Sequence, residues 1–355
     1  MLELENILKR RKIDDGLRLD SYTKESWERD RERIKALFLD EVFGKLPPKI
    51  TPEYDKEEMA ISFAGKAKWE KVHFTFKKDD KSHTVTTDLI LPKGKENIPV
   101  FLYISFDKEI PNKYLPVEEI IDNGFGIFTF YYRGVTEDNL DFDSGIAALF
   151  KKEREELDFG KIALWSYMAI TCLDYLDTRK EVGPVCVVGH SRLGKTALLT
   201  SALDKRPVMV CSNDSGCSGA AISREKPKGC ETIGDICKVF PYWFTRKYYK
   251  YIDNECAQPF DHHMLIALSA PKTVMVGGAE LDVWADNEGQ HLACYLASPI
   301  WKLYGKEGLI FDKLPSEGDK FLEGCVTYHQ RSGTHFMSRT DWQIYMEKFK
   351  NEIRK

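Results

Sequence analysis

An α/β fold, with a mainly parallel central sheet covered by helices on both faces, is the class this 355-residue sequence predicts. Three observations carry that reading. Short apolar runs alternate with helical segments through most of the chain, as they do where crossover helices bury strands on both faces. Two earlier runs, 71–77 and 83–91, instead alternate apolar and polar residues with period two, which suggests an antiparallel pair. Most informative is Pro184-Val-Cys-Val-Val-Gly-His-Ser-Arg-Leu-Gly-Lys195. An apolar run stops at Gly189, a serine sits at the apex of a tight turn, and an Ala/Leu-rich helical pattern follows over 195–203.

Taken in order, the N-terminal stretch 1–8 is amphipathic and acidic, and 24–43 reads as a helix ended by Pro47-Pro48. About the first 50 residues are therefore expected to form a helical segment. After the antiparallel pair, strands are expected at 100–104, 126–131, 185–188, 208–211, 273–277 and 326–330. The intervening and closing helices are expected at 160–176, 195–203, 287–303 and 341–353. No internal repeat or low-complexity linker divides the chain, so 1–355 reads as one domain. Antiparallel strands leading into a parallel series, with a serine turn after a central strand, suggest an α/β-hydrolase.

Hydrophobic content of 43% and charged content of 30% are ordinary for a soluble globular protein. A formal net charge of -4 speaks against nucleic acid as a partner. The basic cluster Lys9 to Lys12 and the mixed run Lys151 to Glu156 read as solvated helix faces. No apolar run approaches the roughly 20 residues of a membrane span. The N-terminus shows no basic region, apolar stretch and cleavage site in series, so the sequence reads as cytoplasmic. The nine cysteines include no Cys-x-x-Cys pair and no zinc-type spacing. They are expected as buried free thiols, with neither metal nor cofactor called for.

A serine lifted above the sheet edge between strand and helix is the arrangement of a nucleophile elbow, usually Gly-x-Ser-x-Gly. Here Leu193 stands where the closing glycine is expected, and Gly194 follows. The competing reading is that Ser191 merely caps the helix. A serine hydroxyl needs a base, and the base an orienting acid, in the chain order serine, acid, histidine. His335, in the Gly-containing loop Arg331-Ser-Gly-Thr-His-Phe336, lies where this fold delivers its histidine. His329 falls in a strand pattern and is expected to be structural, His262 and His263 lie shortly before a strand and are expected to pack or hydrogen-bond, and His291 falls in a helical pattern, with a surface or core role. For the acid, Asp282 and Asp214 each follow a strand end, and the residues alone leave both open. Asp286 reads as a helix N-cap. The backbone N–H of Arg192 is expected in the oxyanion hole. Its side chain either adds a charged donor, a contribution of about 3 kcal/mol, or anchors the helix start through a surface carboxylate. The loop Ser105-Phe-Asp-Lys-Glu109 lacks the His-Gly-Gly run that often supplies further donors.

Gly189-His-Ser-Arg-Leu-Gly-Lys-Thr196 is also a complete Gly-x-x-x-x-Gly-Lys-Thr phosphate-loop string. Its position after several strands, and the later acid and histidine, count against nucleotide binding.

Gly189-His-Ser-Arg-Leu-Gly-Lys195 resembles the Gly-Cys-Ser-Arg-x-Gly-Lys signature of the glucuronoyl esterases, carbohydrate esterase family 15. The likeness extends over roughly residues 90 to 350. It includes Ser215-Gly-Cys-Ser-Gly-Ala220, Glu231-Thr-Ile233, Phe240-Pro-Tyr-Trp-Phe244, the run from Pro259 to Pro271, Asp282-Val-Trp-Ala-Asp286, Gly333-Thr-His-Phe336 and Asp341-Trp342. The resemblance implies a metal-free serine esterase that cleaves the ester between a glucuronic acid carboxyl on xylan and a lignin alcohol. It implies Ser191 as nucleophile, His335 as base and Arg192 as oxyanion donor, with Lys195, Glu231 and Trp284 binding the sugar. The family places its acid at either of two positions, and this chain has a carboxylate at both. The first is usually Glu and is shortened here to Asp214, which favours Asp282. His190 stands where the family has a cysteine. A xylo-oligosaccharide deacetylase, or an inactive hydrolase fold used for binding, are the alternatives. The intact Ser191, His335 and carboxylate set argues against the latter.

Overall fold

The computed structural model describes residues 2–60, 63–151 and 159–354. The charged run expected as a solvated helix face lies outside the described residues from Lys152 onward.

Ten strands form one sheet: β1 (Glu53–Glu58), β2 (Ala67–Lys78), β3 (Lys81–Pro92), β4 (Ile98–Ser105), β5 (Gly126–Tyr131), β6 (Val182–His190), β7 (Met209–Asn213), β8 (Thr273–Ala279), β9 (Lys320–Phe321) and β10 (Val326–Arg331). Their spatial order is β1-β2-β3-β5-β4-β6-β7-β8-β10-β9. The stretch β5-β4-β6-β7-β8-β10 is parallel throughout. The period-two runs form the expected antiparallel pair, in continuous register from Ala67 opposite Pro92 to Lys78 opposite Lys81. β1, with every residue exposed, was not expected, because Glu-Tyr-Asp-Lys-Glu-Glu has no apolar period to read. Its charges suit an edge that must not recruit further strands.

Alternation along the central strands divides the core between the two faces. Leu102, Val187 and Val210 join the cluster containing Leu164, Trp165, Leu193 and Ala197, from helices Lys161–Leu176 and Arg192–Leu203. Phe101, Tyr103, Cys186, Val188 and Cys211 face the opposite cluster, closed by Ile120, Trp342, Tyr345 and Phe349 from helices Val117–Asp122 and Arg339–Ile353. The expected α/β arrangement is therefore observed. All nine cysteines are free thiols, and only Cys256 is exposed. No helix among the described residues is long and apolar enough to cross a membrane.

Three expectations need correction. The helix expected over 24–43 is regular only over Lys24–Leu37, started by a Thr23–Ser26 capping box. A π-helical turn follows over Phe38–Phe43, burying Phe38, Val42 and Phe43 and seating Phe38 on Phe260 with ring centroids 4.9 Å apart. The helix expected over 287–303 divides into Asn287–Ala297 and Pro299–Lys302, because Pro299 has no N–H to continue the ladder. The cluster Lys9 to Lys12 is not simply a solvated face. Arg11, just beyond helix Leu2–Arg10, is wholly buried and forms a 2.5 Å ion pair with Asp286. Arg10 pairs with Glu288 beside it.

Candidate active site

The turn after β6 shows why its glycines stand where they do. Ser191 has φ 56 and ψ −128, a strained conformation of the kind that clusters at functional sites. A Cβ on Gly189 would lie 2.0 Å from the Leu193 carbonyl oxygen, so the turn closes only over glycine. A Cβ on Gly194 would lie 3.0 Å from the Ser215 side chain and 3.1 Å from the Asn213 carbonyl, whereas Leu193 points into the core. Position 194, not 193, is where this helix meets β7, which accounts for the displaced glycine. The helix begins at Arg192 rather than 195, and the Ser191 side chain makes no capping bond. The capping alternative therefore falls.

The hydroxyl is engaged elsewhere. Ser191 Oγ lies 2.8 Å from His335 Nε2, and His335 Nδ1 lies 2.6 Å from Asp282 Oδ2. With Asp282 ionised, Nδ1–H donates to it and Nε2 is left to accept from the serine. Asp282 is buried while His335 is 45% exposed at its side chain, so the base is open to substrate and its acid is not.

Asp214, the other candidate, lies close by but makes no hydrogen bond to His335. Its Oδ2 lies 3.3 Å from Arg331 Nη2 and 4.0 Å from His190 Nδ1. Burial, and then the charge of Asp282, push its carboxyl well above the usual range, with Arg331 opposing them. Asp214, Asp282 and His335 are also the one group of three metal-ligating side chains found together among the described residues. Their facing atoms are already joined by the His335–Asp282 bond.

His190 packs against His335 with ring centroids 4.6 Å apart, and its Nδ1 lies 2.7 Å from Asn213 Oδ1. Burial, and then the neighbouring His335, push it down to about 3, so it stays neutral. The other four late histidines are all buried, which places His291 in the core rather than on the surface. His262 and His263 reach the carbonyls of Gly219 and Leu17, and His329 reaches Asp341.

Arg192 starts the helix and pairs with a carboxylate. As the first helical residue its backbone N–H has no intrahelical acceptor. Its Nη1 pairs with Asp138, a buried carboxylate rather than the surface one imagined. The guanidinium lies 4.5 Å from the Trp243 ring centroid and 4.9 Å from that of Phe240, two rings stacked 3.8 Å apart. Its Nε has no hydrogen-bond partner. Asp138 is held in turn by Trp243 Nε1 at 2.7 Å and Tyr132 OH at 3.0 Å.

Lys195, Glu231 and Trp284 come together. Lys195 is buried, donating to the carbonyls of Ser215 at 2.5 Å and Cys217 at 2.6 Å, with Glu231 at 3.9 Å. The backbone N–H of Glu231 donates to the Trp284 carbonyl at 2.9 Å. Trp284, two residues from Asp282, is 49% exposed and so is no core aromatic. Asp286 caps the helix Asn287–Ala297 through Gly289 N–H, as expected.

The residues missed from sequence are Asp138, Asn213 and Arg331, together with the specific partners chosen by Trp243 and Asp341. Trp243 and Asp341 fall inside stretches that carried the family resemblance. Asp138 sits in a polar loop with nothing local to mark it.

Position along the chain defines the class. A serine after β6, a carboxylate after β8 and a histidine after β10, on a mainly parallel sheet, is the order of an α/β-hydrolase. The family follows from comparison. A family model described as "Glucuronyl esterase, fungi" matches residues 74–305. Carbohydrate esterase MZ0003, from an unknown prokaryotic organism, is 32% identical over 378 residues, covering 94% of this chain and 86% of that protein. The solved structure of a glucuronoyl esterase from Solibacter usitatus matches with a TM-score of 0.84 at 32% identity, over 93% of this chain and 94% of that one. A promiscuous CE15 esterase from a marine bacterial metagenome matches with a TM-score of 0.84 at 29% identity, over 96% of each chain. The chain belongs to the glucuronoyl esterase family, carbohydrate esterase family 15, and is a carboxylic ester hydrolase.

Proposed function

We propose that the protein hydrolyses glucuronoyl esters, with the uronic acid carboxyl, carried on a saccharide, as the acyl half. The observation that carries this reading is the unbroken hydrogen-bond chain Ser191–His335–Asp282, at 2.8 and 2.6 Å, beside a buried lysine–glutamate pair and an exposed tryptophan.

In this reading Ser191 Oγ attacks the ester carbon as His335 Nε2 takes its proton. Asp282 stabilises the imidazolium that forms. The tetrahedral oxyanion is met by the Arg192 backbone N–H and by its guanidinium, which the Asp138 pair and the Trp243–Phe240 stack hold in place. Collapse expels the alcohol, protonated by His335. Water, activated by the same histidine, then releases the uronic acid and restores the serine hydroxyl. Lys195 has three N–H donors and two are given to carbonyls, which leaves one on the Glu231 side for a sugar hydroxyl. Trp284 offers a flat, amphipathic face to the ring.

The test is paired hydrolysis of benzyl glucuronate and an acetylated xylo-oligosaccharide by the wild type and Ser191→Ala. Serine-dependent cleavage of the glucuronate is expected. Acetate release alone would replace the substrate class, and activity in Ser191→Ala equal to wild type would overturn the mechanism.

A further inference from the structure

β10 ends at Arg331, four residues before His335, and this buried arginine gives every face of its guanidinium to a partner. Nε donates to Asp341 Oδ2 at 2.7 Å, and Nη1 to the Ser332 carbonyl at 2.8 Å. Nη2 donates to the Thr334 carbonyl at 3.1 Å and to Asp214 Oδ2 at 3.3 Å. Ser332 and Thr334 are the loop that presents His335. One side chain therefore grips two carbonyls of that loop, one of them on the residue immediately before the base.

The far end of the grip is fixed too. Asp341 also accepts from His329 Nε2 at 2.7 Å, from Asn213 Nδ2 at 3.0 Å and from the Ser338 N–H at 2.7 Å. It is thereby anchored to β10, to β7 beside the serine turn, and to the start of the last helix. Asn213 Oδ1 in turn contacts His190, whose ring packs on His335. The acid turn is tied to the same loop through Glu280 N–H to the Arg331 carbonyl at 2.8 Å and Leu281 N–H to the Gly333 carbonyl at 3.0 Å.

We propose that Arg331 is a positioning residue for hydrolysis: it sets the loop that aims His335 between Ser191 and Asp282, and Asp214, at the unused acid position, is the hydrogen-bond acceptor that holds its Nη2. The inference rests on the proposed roles of Ser191, His335 and Asp282. It also accounts for a carboxylate at 214 that does not touch the imidazole. Only arginine fits the place, since its rigid fork reaches two carbonyls and two carboxylates at once, whereas a lysine offers three donors from a single point.

The experiment compares Arg331→Lys, Asp214→Asn and Asp214→Ala with wild type in two assays. The first is steady-state hydrolysis of benzyl glucuronate. The second is the rate at which a fluorophosphonate labels Ser191, which needs the serine–histidine pair but no sugar contacts. Misplacing a base by about 1 Å costs on the order of 100-fold. Arg331→Lys is therefore expected to lose about 100-fold in kcat and in labelling, with KM moved less than about threefold. Asp214→Asn, which keeps an acceptor for Nη2, should lose less than about tenfold, and Asp214→Ala distinctly more than Asp214→Asn. An Arg331→Lys protein that melts earlier but keeps both rates within about threefold would be using arginine for stability alone, and would overturn the proposal. If Arg331→Lys does not fold, Asp214→Ala decides: wild-type kcat in that variant overturns the acceptor role and the clamp with it. Failure of wild type to label, or equal labelling of Ser191→Ala, would instead remove the catalytic reading beneath the inference.

Discussion

Asp282→Asn separates the two carboxylates more sharply than any other change. The side chain is buried and its Oδ2 lies 2.6 Å from His335 Nδ1, so the amide fits the same space while losing the charge. Two costs follow. An imidazolium and a carboxylate with charge centres about 4 Å apart, at an effective dielectric of about 20, attract by about 4 kcal/mol. Losing that attraction as the imidazolium forms slows the reaction about 10³-fold. The amide can also turn its NH₂ toward Nδ1, which fixes the tautomer with a proton on Nε2, where the base must be free. Together the loss should approach 10⁴-fold in kcat, or about 5 kcal/mol. Asp214→Asn alters a group whose Oδ2 contacts Arg331 instead, so its loss should stay below about tenfold. The assay is initial-rate hydrolysis of benzyl glucuronate near neutral pH, with thermal melts to show that both variants are folded. A larger loss in Asp214→Asn than in Asp282→Asn would move the acid to position 214, and kcat within tenfold of wild type in Asp282→Asn would refute the relay.

Arg192→Ala should cut kcat by about 10²–10³-fold with KM nearly constant. It should also lower Tm, because Asp138 would be left as a buried, uncompensated charge; an unchanged kcat would leave the backbone N–H as the whole of the oxyanion contact from this residue. Trp284→Ala removes an exposed aromatic face and should raise KM by about 2- to 12-fold for saccharide-bearing esters, corresponding to about 0.5–1.5 kcal/mol, while p-nitrophenyl acetate kinetics stay level. Equal effects on both substrates would deny it a sugar contact. Acid should destabilise the fold through its neutral histidines. Burial, the leading cause in each, lowers His190 to about 3 and His262 and His291 to about 4. The unfolded chain takes up these protons from about pH 6.5 downward while the folded one refuses them, so each histidine costs on the order of a few kcal/mol as pH falls from about 6.5 to 4. Urea midpoints at pH 7, 5.5 and 4 should fall in step, and a flat series would refute the account.

What could be read in advance was local. The serine turn is encoded within a dozen residues, because strand, glycine contacts and helix onset are all neighbours in sequence. Chain order and loop position picked out His335 and left two carboxylates open, and the family resemblance, with a shorter carboxylate at 214, favoured Asp282, whose Oδ2 lies 2.6 Å from His335 Nδ1. The same logic fails where a side chain is fixed by distant partners. Asp138 meets Arg192 across 54 positions, and no periodicity marks it. Arg331 reads simply as the first residue of the loop after the last strand. Lys195 could pass for a solvated helix residue, yet its helix is packed on nearly every side and its ammonium is enclosed. Arg11 is the same case at the N-terminus, where a basic run hides one arginine aimed inward at Asp286. β1 was missed for the opposite reason, since it has no buried face at all.

The phosphate-loop string shows how far a motif depends on what its atoms are bonded to. A phosphate cradle needs successive backbone amides free and converging, with the lysine extended toward the anion. In Gly189 to Thr196 three of the amides are already engaged. Ser191 N–H donates to the Asn213 carbonyl at 2.8 Å, and the N–H groups of Gly194 and Lys195 donate to the Ser191 carbonyl at 2.9 and 3.2 Å. The lysine is turned inward onto the loop after β7, where burial, the largest influence, lowers its pKa against the pull of Glu231. Strain at Ser191, with φ 56, replaces the open curve of a cradle with a projecting hydroxyl. The eight letters are compatible with either structure. The turn conformation, and the engagement of three of its amides before any ligand arrives, count against a phosphate cradle here and fit the proposed role of Ser191 as nucleophile.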